Sequence, residues 1–276
     1  MLARLGVVFA VLVLAPSALA AYPTPYAAQG GPGVVSNDGS VRFVAQRGSA
    51  GTTVVAAIKT SDGSRKSAKV GGEFGIPMLT YTGLAGGLSY DGKTLVLQRV
   101  GVPAKAQFVL LGTDDLAVHN RIVLDGLFGY DALSPDGSKL YLIQHRSIGD
   151  ADHYVVRAYD VTRHKLLPGR IADKTQKSWV MRGRATTRVT SSDGRFVYTL
   201  YANPGGYPFI HALDTVMATA HCIGIPWAST DQRQTEVDNL VMSLRGTELS
   251  VDWKTGGSYV TVDTKTWRVK KTSPVR

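Results

Sequence analysis

A short polar turn, Ser-x-Asp-Gly, recurs along the chain, and a run of apolar, β-branched and aromatic residues follows it each time. Ser36-Asn37-Asp38-Gly39 precedes Val41-Arg42-Phe43-Val44, and Ser89-Tyr90-Asp91-Gly92 precedes Thr94-Leu95-Val96-Leu97. Ser134-Pro135-Asp136-Gly137 precedes Lys139-Leu140-Tyr141-Leu142, and Ser191-Ser192-Asp193-Gly194 precedes Phe196-Val197-Tyr198. A fifth copy is worn to Ser243-Leu244-Arg245-Gly246, followed by Glu248-Leu249-Ser250-Val251. The Asp side chain bonds backbone two residues on, and Gly takes the positive φ of a tight hairpin. Each copy therefore predicts a hairpin turn leading into a strand.

A second marker runs in step with the first. About twenty residues after each turn another strand ends near an acidic residue: Val54–Ile58 with Asp62, Phe108–Leu111 with Asp114, Tyr154–Tyr159 with Asp160, Phe209–Leu213 with Asp214, and Tyr259–Val262 with Asp263. A weaker strand follows each, as in Trp267-Arg268-Val269. The turns lie 53, 45, 57 and 52 residues apart, room for one four-stranded sheet per period. No helical periodicity persists over three turns, a sandwich would lack the long internal period, and a β-helix would have shorter coils. Sheets that cannot each bury both faces alone do so by packing radially. The expected fold is all-β, a β-propeller of five four-stranded blades over residues 33–276, with residues 21–32 latching the ring, Tyr22 to Gln29 pairing with the last blade.

The box Ser134-Pro135-Asp136-Gly137-Ser138-Lys139-Leu140-Tyr141 resembles that of WD40-like bacterial propellers, including the YVTN-type surface and periplasmic repeats. The resemblance extends from about Gly33 to Val269. It implies a propeller whose innermost strand precedes the Asp-Gly turn and lines a channel, with functional residues gathered at the entry to that strand.

The first twenty residues read as a signal peptide: Arg4, an apolar run from Leu5 to Ala15, then Ala18-Leu19-Ala20 as a small-x-small cleavage site. Cleavage after Ala20 is expected, with an uncleaved anchor as the alternative. No later stretch is apolar for long enough to span a membrane. The single cysteine, Cys222, allows no intrachain disulfide and reads as a buried small hydrophobe. The formal charge of +10 favours anionic surroundings, but the cations are dispersed, the one dense run being Lys265 to Lys271. No recognition motif points to nucleic acid.

Alignment on the turn serine places Asp131 and Arg188 at equivalent channel positions, with Tyr130 and Asp238 beside them and Arg184 just upstream. Tyr130, Asp131, Arg184, Arg188 and Asp238 form the candidate ligand-binding mouth, with mutual neutralisation of acid and base as the alternative. Asp38, Gly39, Asp91, Gly92, Asp136, Gly137, Asp193 and Gly194 are structural turn residues rather than catalytic acids. The six histidines form no local zinc signature, and Ser147 to His153 reads as a solvated loop, with a metal loop as the alternative. His211 reads as a packed strand histidine. Gly-x-Ser-x-Gly is absent, and Gly30-Gly31-Pro32-Gly33 reads as a turn. No catalytic residue, metal or cofactor is assigned. The expected function is a monomeric, non-enzymatic binding module outside the cytoplasm, its partner an unidentified protein or envelope polymer. The alternatives are a lactonase-like or other hydrolase drawing on Asp131, Asp238 and His145, and a structural role for the basic C-terminus.

Overall fold

The computed structural model describes residues 26–272, apart from 102, 103, 148, 149, 174, 176–179, 204 and 228–233 and the side chains of 150–152, 234, 235, 271 and 272. The signal peptide and residues 273–276 lie outside the described residues, as do parts of the Ser147 to His153 loop. Of these segments only the sequence reading stands.

The chain forms five antiparallel sheets in sequence order, and it is a β-propeller. After a two-residue strand β1 (Ala27–Ala28), the first sheet is β2 (Val34–Val35), β3 (Val41–Arg47), β4 (Thr52–Lys59) and β5 (Arg65–Gly71). The second is β6 (Phe74–Pro77), β7 (Thr94–Arg99), β8 (Lys105–Gly112) and β9 (Val118–Asp125). The third is β10 (Leu127–Leu133), β11 (Lys139–Ser147), β12 (Asp150–Asp160) and β13 (Lys165–Leu166), with β14 (Met181–Arg182) also paired to β12. The fourth is β15 (Arg184–Thr190), β16 (Phe196–Ala202), β17 (Phe209–Asp214) and β18 (Thr219–Gly224). The fifth is β19 (Leu240–Arg245), β20 (Glu248–Trp253), β21 (Ser258–Asp263) and β22 (Arg268–Thr272). A 3₁₀ turn at Gln234–Asn239 is the single helical segment among the described residues.

Four turns are built alike. In each the serine hydroxyl donates to the aspartate at 2.6 Å, and the aspartate accepts the backbone N–H two residues on at 3.0 Å. The serine oxygen also accepts the N–H that opens the next strand, at Val41, Thr94, Lys139 and Phe196. Gly39, Gly92, Gly137 and Gly194 sit at φ between 71° and 74°. The worn fifth copy lacks this network, and Arg245 pairs directly with Glu248 so that the strands run closer to the hairpin tip.

A threonine holds the far end of the third strand onto the turn. The hydroxyls of Thr60, Thr113, Thr215 and Thr264 donate to the carbonyls of Gly39, Gly92, Arg195 and Thr247. Their backbone N–H groups, and that of Val161 in the third sheet, repeat one bond in all five sheets. This clamp is in strict register, whereas the acidic residue beside it shifts by up to three positions between copies.

Alternate residues face alternate sides of a strand, so each sheet carries apolar residues toward its neighbours. The large clusters of buried apolar residues lie between the first and second sheets (Phe43, Val55, Phe74, Leu95), second and third (Val96, Phe108, Leu140, Leu142), third and fourth (Tyr141, Val156, Tyr201, Leu213), and fourth and fifth (Ile210, Leu240, Val251, Val260). No such cluster joins the fifth sheet to the first among the described residues. The far face of the first sheet sets Arg42, Gln46, Arg65, Ser67 and Lys69 around buried Val44 and Ala56 and half-buried Val54 and Ile58, and that of the fifth exposes Ser243, Arg245 and Glu248.

Of the segment expected to latch the ring, Tyr22 to Pro25 lie outside the described residues, and the described part runs along the second sheet rather than the last. Ala27 and Ala28 pair with Pro77 and Ile76 on the inner edge of β6, and Met78 N–H donates to the Tyr26 carbonyl at 2.7 Å. Gly75 makes this approach possible, since a Cβ there would stand 2.5 Å from the Ala28 carbonyl oxygen. Only Gln29 to Gly33 separate β1 from β2, so the nearest inner edge, that of the second sheet, takes the segment.

Candidate functional site

The strands before the turns are innermost, as their sheet order requires. The second sheet departs from the pattern, because residues Met78 to Leu88 make an excursion between β6 and its turn. This excursion reaches the middle of the molecule: Tyr81 N–H donates to the Ala185 carbonyl at 3.0 Å, and the Thr82 hydroxyl to the Thr186 carbonyl at 3.0 Å. A central cavity of about 260 Å³ remains, lined by inner residues of the first four sheets, among them Val35, Leu84, Tyr90, Tyr130, Asp131 and Arg188.

The five predicted mouth residues fall into two groups. Tyr130, Asp131 and Arg188 meet at the central cavity. The Arg188 and Asp131 side chains are only 6% and 2% exposed and form a direct ion pair between the fourth and third sheets. Arg188 also donates to the Asp131 carbonyl at 2.5 Å and to Thr199 Oγ1 at 2.8 Å. Burial works against the charge on Arg188, but the Asp131 carboxylate outweighs it and holds the guanidinium above its ordinary pKa. The Tyr130 phenol is buried and driven well up by desolvation, while its backbone N–H donates to Gln98 Oε1 of the second sheet at 2.8 Å.

Arg184 and Asp238 form the second group, at the junction of the fourth and fifth sheets. Two parallel bonds of 2.6 and 2.7 Å join them. The guanidinium carbon lies 5.4 Å from the Tyr81 ring centroid, and Lys254 donates to the Asp238 carbonyl at 2.6 Å. This pair is partly exposed, and Tyr81, Leu84 and Val241 beside the same inner strands are each exposed by more than 40%. His145, the third residue of the hydrolase alternative, is buried against Tyr154 in the third sheet, ring centroids 5.6 Å apart. Among the described residues, no three His, Cys, Asp or Glu side chains converge as a metal-binding set would.

Sequence reasoning did not foresee the polar seam running outward from Arg188. His211 faces the third sheet from β17, and its Nδ1 lies 3.6 Å from the Cys222 sulfur. Asp173 accepts the Cys222 backbone N–H at 2.8 Å and the Thr175 N–H and hydroxyl on its other oxygen. Burial lowers the His211 imidazole to about 4 and raises the Cys222 thiol to about 12, with Asp173 adding to the latter. His211 is thus a packed histidine, as its alternation with Phe209 and Leu213 implied. Its partners come from sequence-distant elements and left no local signal.

No protein-family model and no curated protein matches the chain. Solved structures do. Hydrazine synthase from Kuenenia stuttgartiensis superposes with a TM-score of 0.53 at 17% identity, over 84% of this chain and 63% of that one. The Cps50 (Swd1) β-propeller domain of Myceliophteria thermophila gives 0.49 at 13% identity, over 83% and 64%. TolB from Acinetobacter baumannii gives 0.45 at 13%, over 88% and 54%. The chain spans less than two thirds of the length of each of these. At such identities the likeness shows the fold alone, in keeping with the five-sheet propeller described above.

Proposed function

We propose that this chain is a non-enzymatic binding module that works outside the cytoplasm and engages a protein partner through the rim formed by Tyr81, Leu84, Arg184, Asp238 and Val241. The observation that carries the reading is the contrast between the two groups of polar residues. In the interior, Asp131 and Arg188 are committed to one another as a buried ion pair. At the rim, a bidentate Arg–carboxylate pair is stacked on an exposed tyrosine, and Leu84 and Val241 are exposed as well. Aromatic and arginine side chains held rigid beside apolar surface are what protein recognition uses. A rigid ring presenting loops from several sheets is a common host for such surfaces. Export rests on the apolar leader and its small-x-small site.

A photo-reactive phenylalanine analogue at position 81 of the exported protein tests this. The expected result is one saturable cross-linked product in the envelope fraction, lost on Arg184→Ala. A chain retained in the cytoplasm, or a cross-linking pattern indifferent to Arg184, would defeat the reading.

A further inference from the structure

A second cavity lies at the turn end of the molecule, away from the rim, in the crevice between the first and second sheets. It holds about 740 Å³, within the range of small-ligand pockets. Its first-sheet wall carries Val41, Phe43 and Ala57, and beside them Lys59 and Lys66 on the same sheet face, since Val41 pairs with Lys59 and Ala57 with Lys66. Asn37 closes the inner end by donating to the Tyr90 carbonyl at 2.6 Å.

The same place is filled between the third and fourth sheets. There Tyr141, five residues after the turn aspartate, is fully buried and donates to the Thr215 carbonyl at 2.7 Å. In the first sheet the residue five after Asp38 is Phe43, which has no hydroxyl, and the crevice stays open. Lys66 extends across it instead and donates to the Asp114 carbonyl at 2.5 Å. The Lys59 ammonium makes no hydrogen bond among the described residues, although, after the Ser64 backbone N–H, its charge helps to hold the Asp62 carboxyl below its ordinary pKa. The nearby carboxylates of Asp38, Asp91 and Asp62 are engaged by their own turns. Two like charges on neighbouring strands repel unless an anion stands between them.

We infer that this crevice binds a single carboxylate carried on an apolar body, whether a peptide C-terminus or a free amphiphilic acid. The carboxylate lies between the Lys59 and Lys66 ammonium groups and the apolar body lies over Val41, Phe43 and Ala57. The Asp114 side chain on the second-sheet wall lines the same crevice and disfavours a second acidic group. This site is separate from the rim, and the inference stands or falls independently of the proposed function.

Calorimetric titration of the full mature chain with three compounds tests it: an N-acetylated apolar tripeptide with a free carboxylate, the same tripeptide amidated, and decanoate. Saturable binding of the tripeptide acid or of decanoate is expected, and which one binds identifies the source of the carboxylate. The amide binds at least about tenfold more weakly, as loss of a charge-assisted contact implies. Lys59→Met and Lys66→Met each weaken binding by about tenfold. Phe43→Tyr, which imitates the filled crevice, abolishes it while leaving the melting temperature within a few degrees. No binding by either acid, equal binding of acid and amide, or unchanged binding in Lys59→Met and Phe43→Tyr would overturn the assignment.

Discussion

The turn glycines adopt one backbone conformation but stand in different surroundings. A Cβ on Gly39 would meet open space, whereas one on Gly194 would stand 2.3 Å from the Tyr90 ring, which crosses from the second sheet to reach the Ser192 carbonyl. An L-residue in this conformation costs about 1–2 kcal/mol by itself. Gly39→Ala should show that cost alone. Gly194→Ala adds displacement of a packed ring and should cost about 3 kcal/mol or more. Urea midpoints of the two variants, compared at equal m-value, check the difference. A residue-scale pH effect belongs to His211. Its imidazole faces Cys222, Asp173, Asp131 and Arg188, and burial holds it neutral down to about pH 4, against 6.5 when free. Between those values the unfolded chain binds the proton and the folded chain does not. Stability therefore falls as pH drops from 6.5 toward 4, by about 3 kcal/mol in total. His211→Phe should flatten that part of the stability curve. Asp38 and Asp193, whose pKa values are lowered by the serine hydroxyls and backbone N–H groups of their turns, withdraw their contribution only at lower pH.

Between elements, the contact between the third and fourth sheets combines an apolar cluster with a buried ion pair. Removing one member leaves the other charged and buried, which costs about 3–5 kcal/mol, whereas removing both often costs far less. Arg188→Met should therefore destabilise strongly, and Asp131→Leu with Arg188→Met should recover most of the loss. Thermal unfolding of the single and double variants measures this. A double variant as unstable as the single would show that the seam depends on geometry rather than charge balance. The sequence announced both residues because they precede recurrent turns by three positions. It did not announce that they pair, because their distance depends on how two sheets approach. The turns were legible for a local reason: serine, aspartate and glycine close a network within six residues. The threonine clamp is equally periodic, at Thr60, Thr113, Thr215 and Thr264, but a lone threonine carries no local turn signal and the third copy replaces it with Val161. The course of Ala27 and Ala28 was not legible, since pairing along β6 depends on the bare backbone at Gly75. The long excursion from Met78 to Leu88 was hidden inside a 53-residue period that a single blade could have filled.

At the scale of the whole molecule, the clusters among the described residues pack the second, third and fourth sheets on both faces, and the first and fifth on one. In arrays of this kind, stability is close to a sum of sheet terms and nearest-neighbour interfaces. A terminal sheet has one interface to lose and a middle sheet two. The outward faces carry polar residues expected of such ends: Arg42, Gln46, Arg65 and Lys69 on the first sheet and Ser243, Arg245 and Glu248 on the fifth are exposed. The polar cover makes these faces soluble, but it supplies no second hydrophobic interface. Local opening should then be graded along the chain rather than uniform. Amide hydrogen exchange under native conditions should show β4 and β20 exchanging at least about tenfold faster than β8, β11 and β16, a gap of about 1.4 kcal/mol in opening free energy. The third sheet, flanked by Phe108 and Leu142 on one side and Tyr141 and Val156 on the other, should be slowest. Equal protection in all five sheets would mean that the first and fifth close on one another in solution and that the interface between them is as strong as the four described.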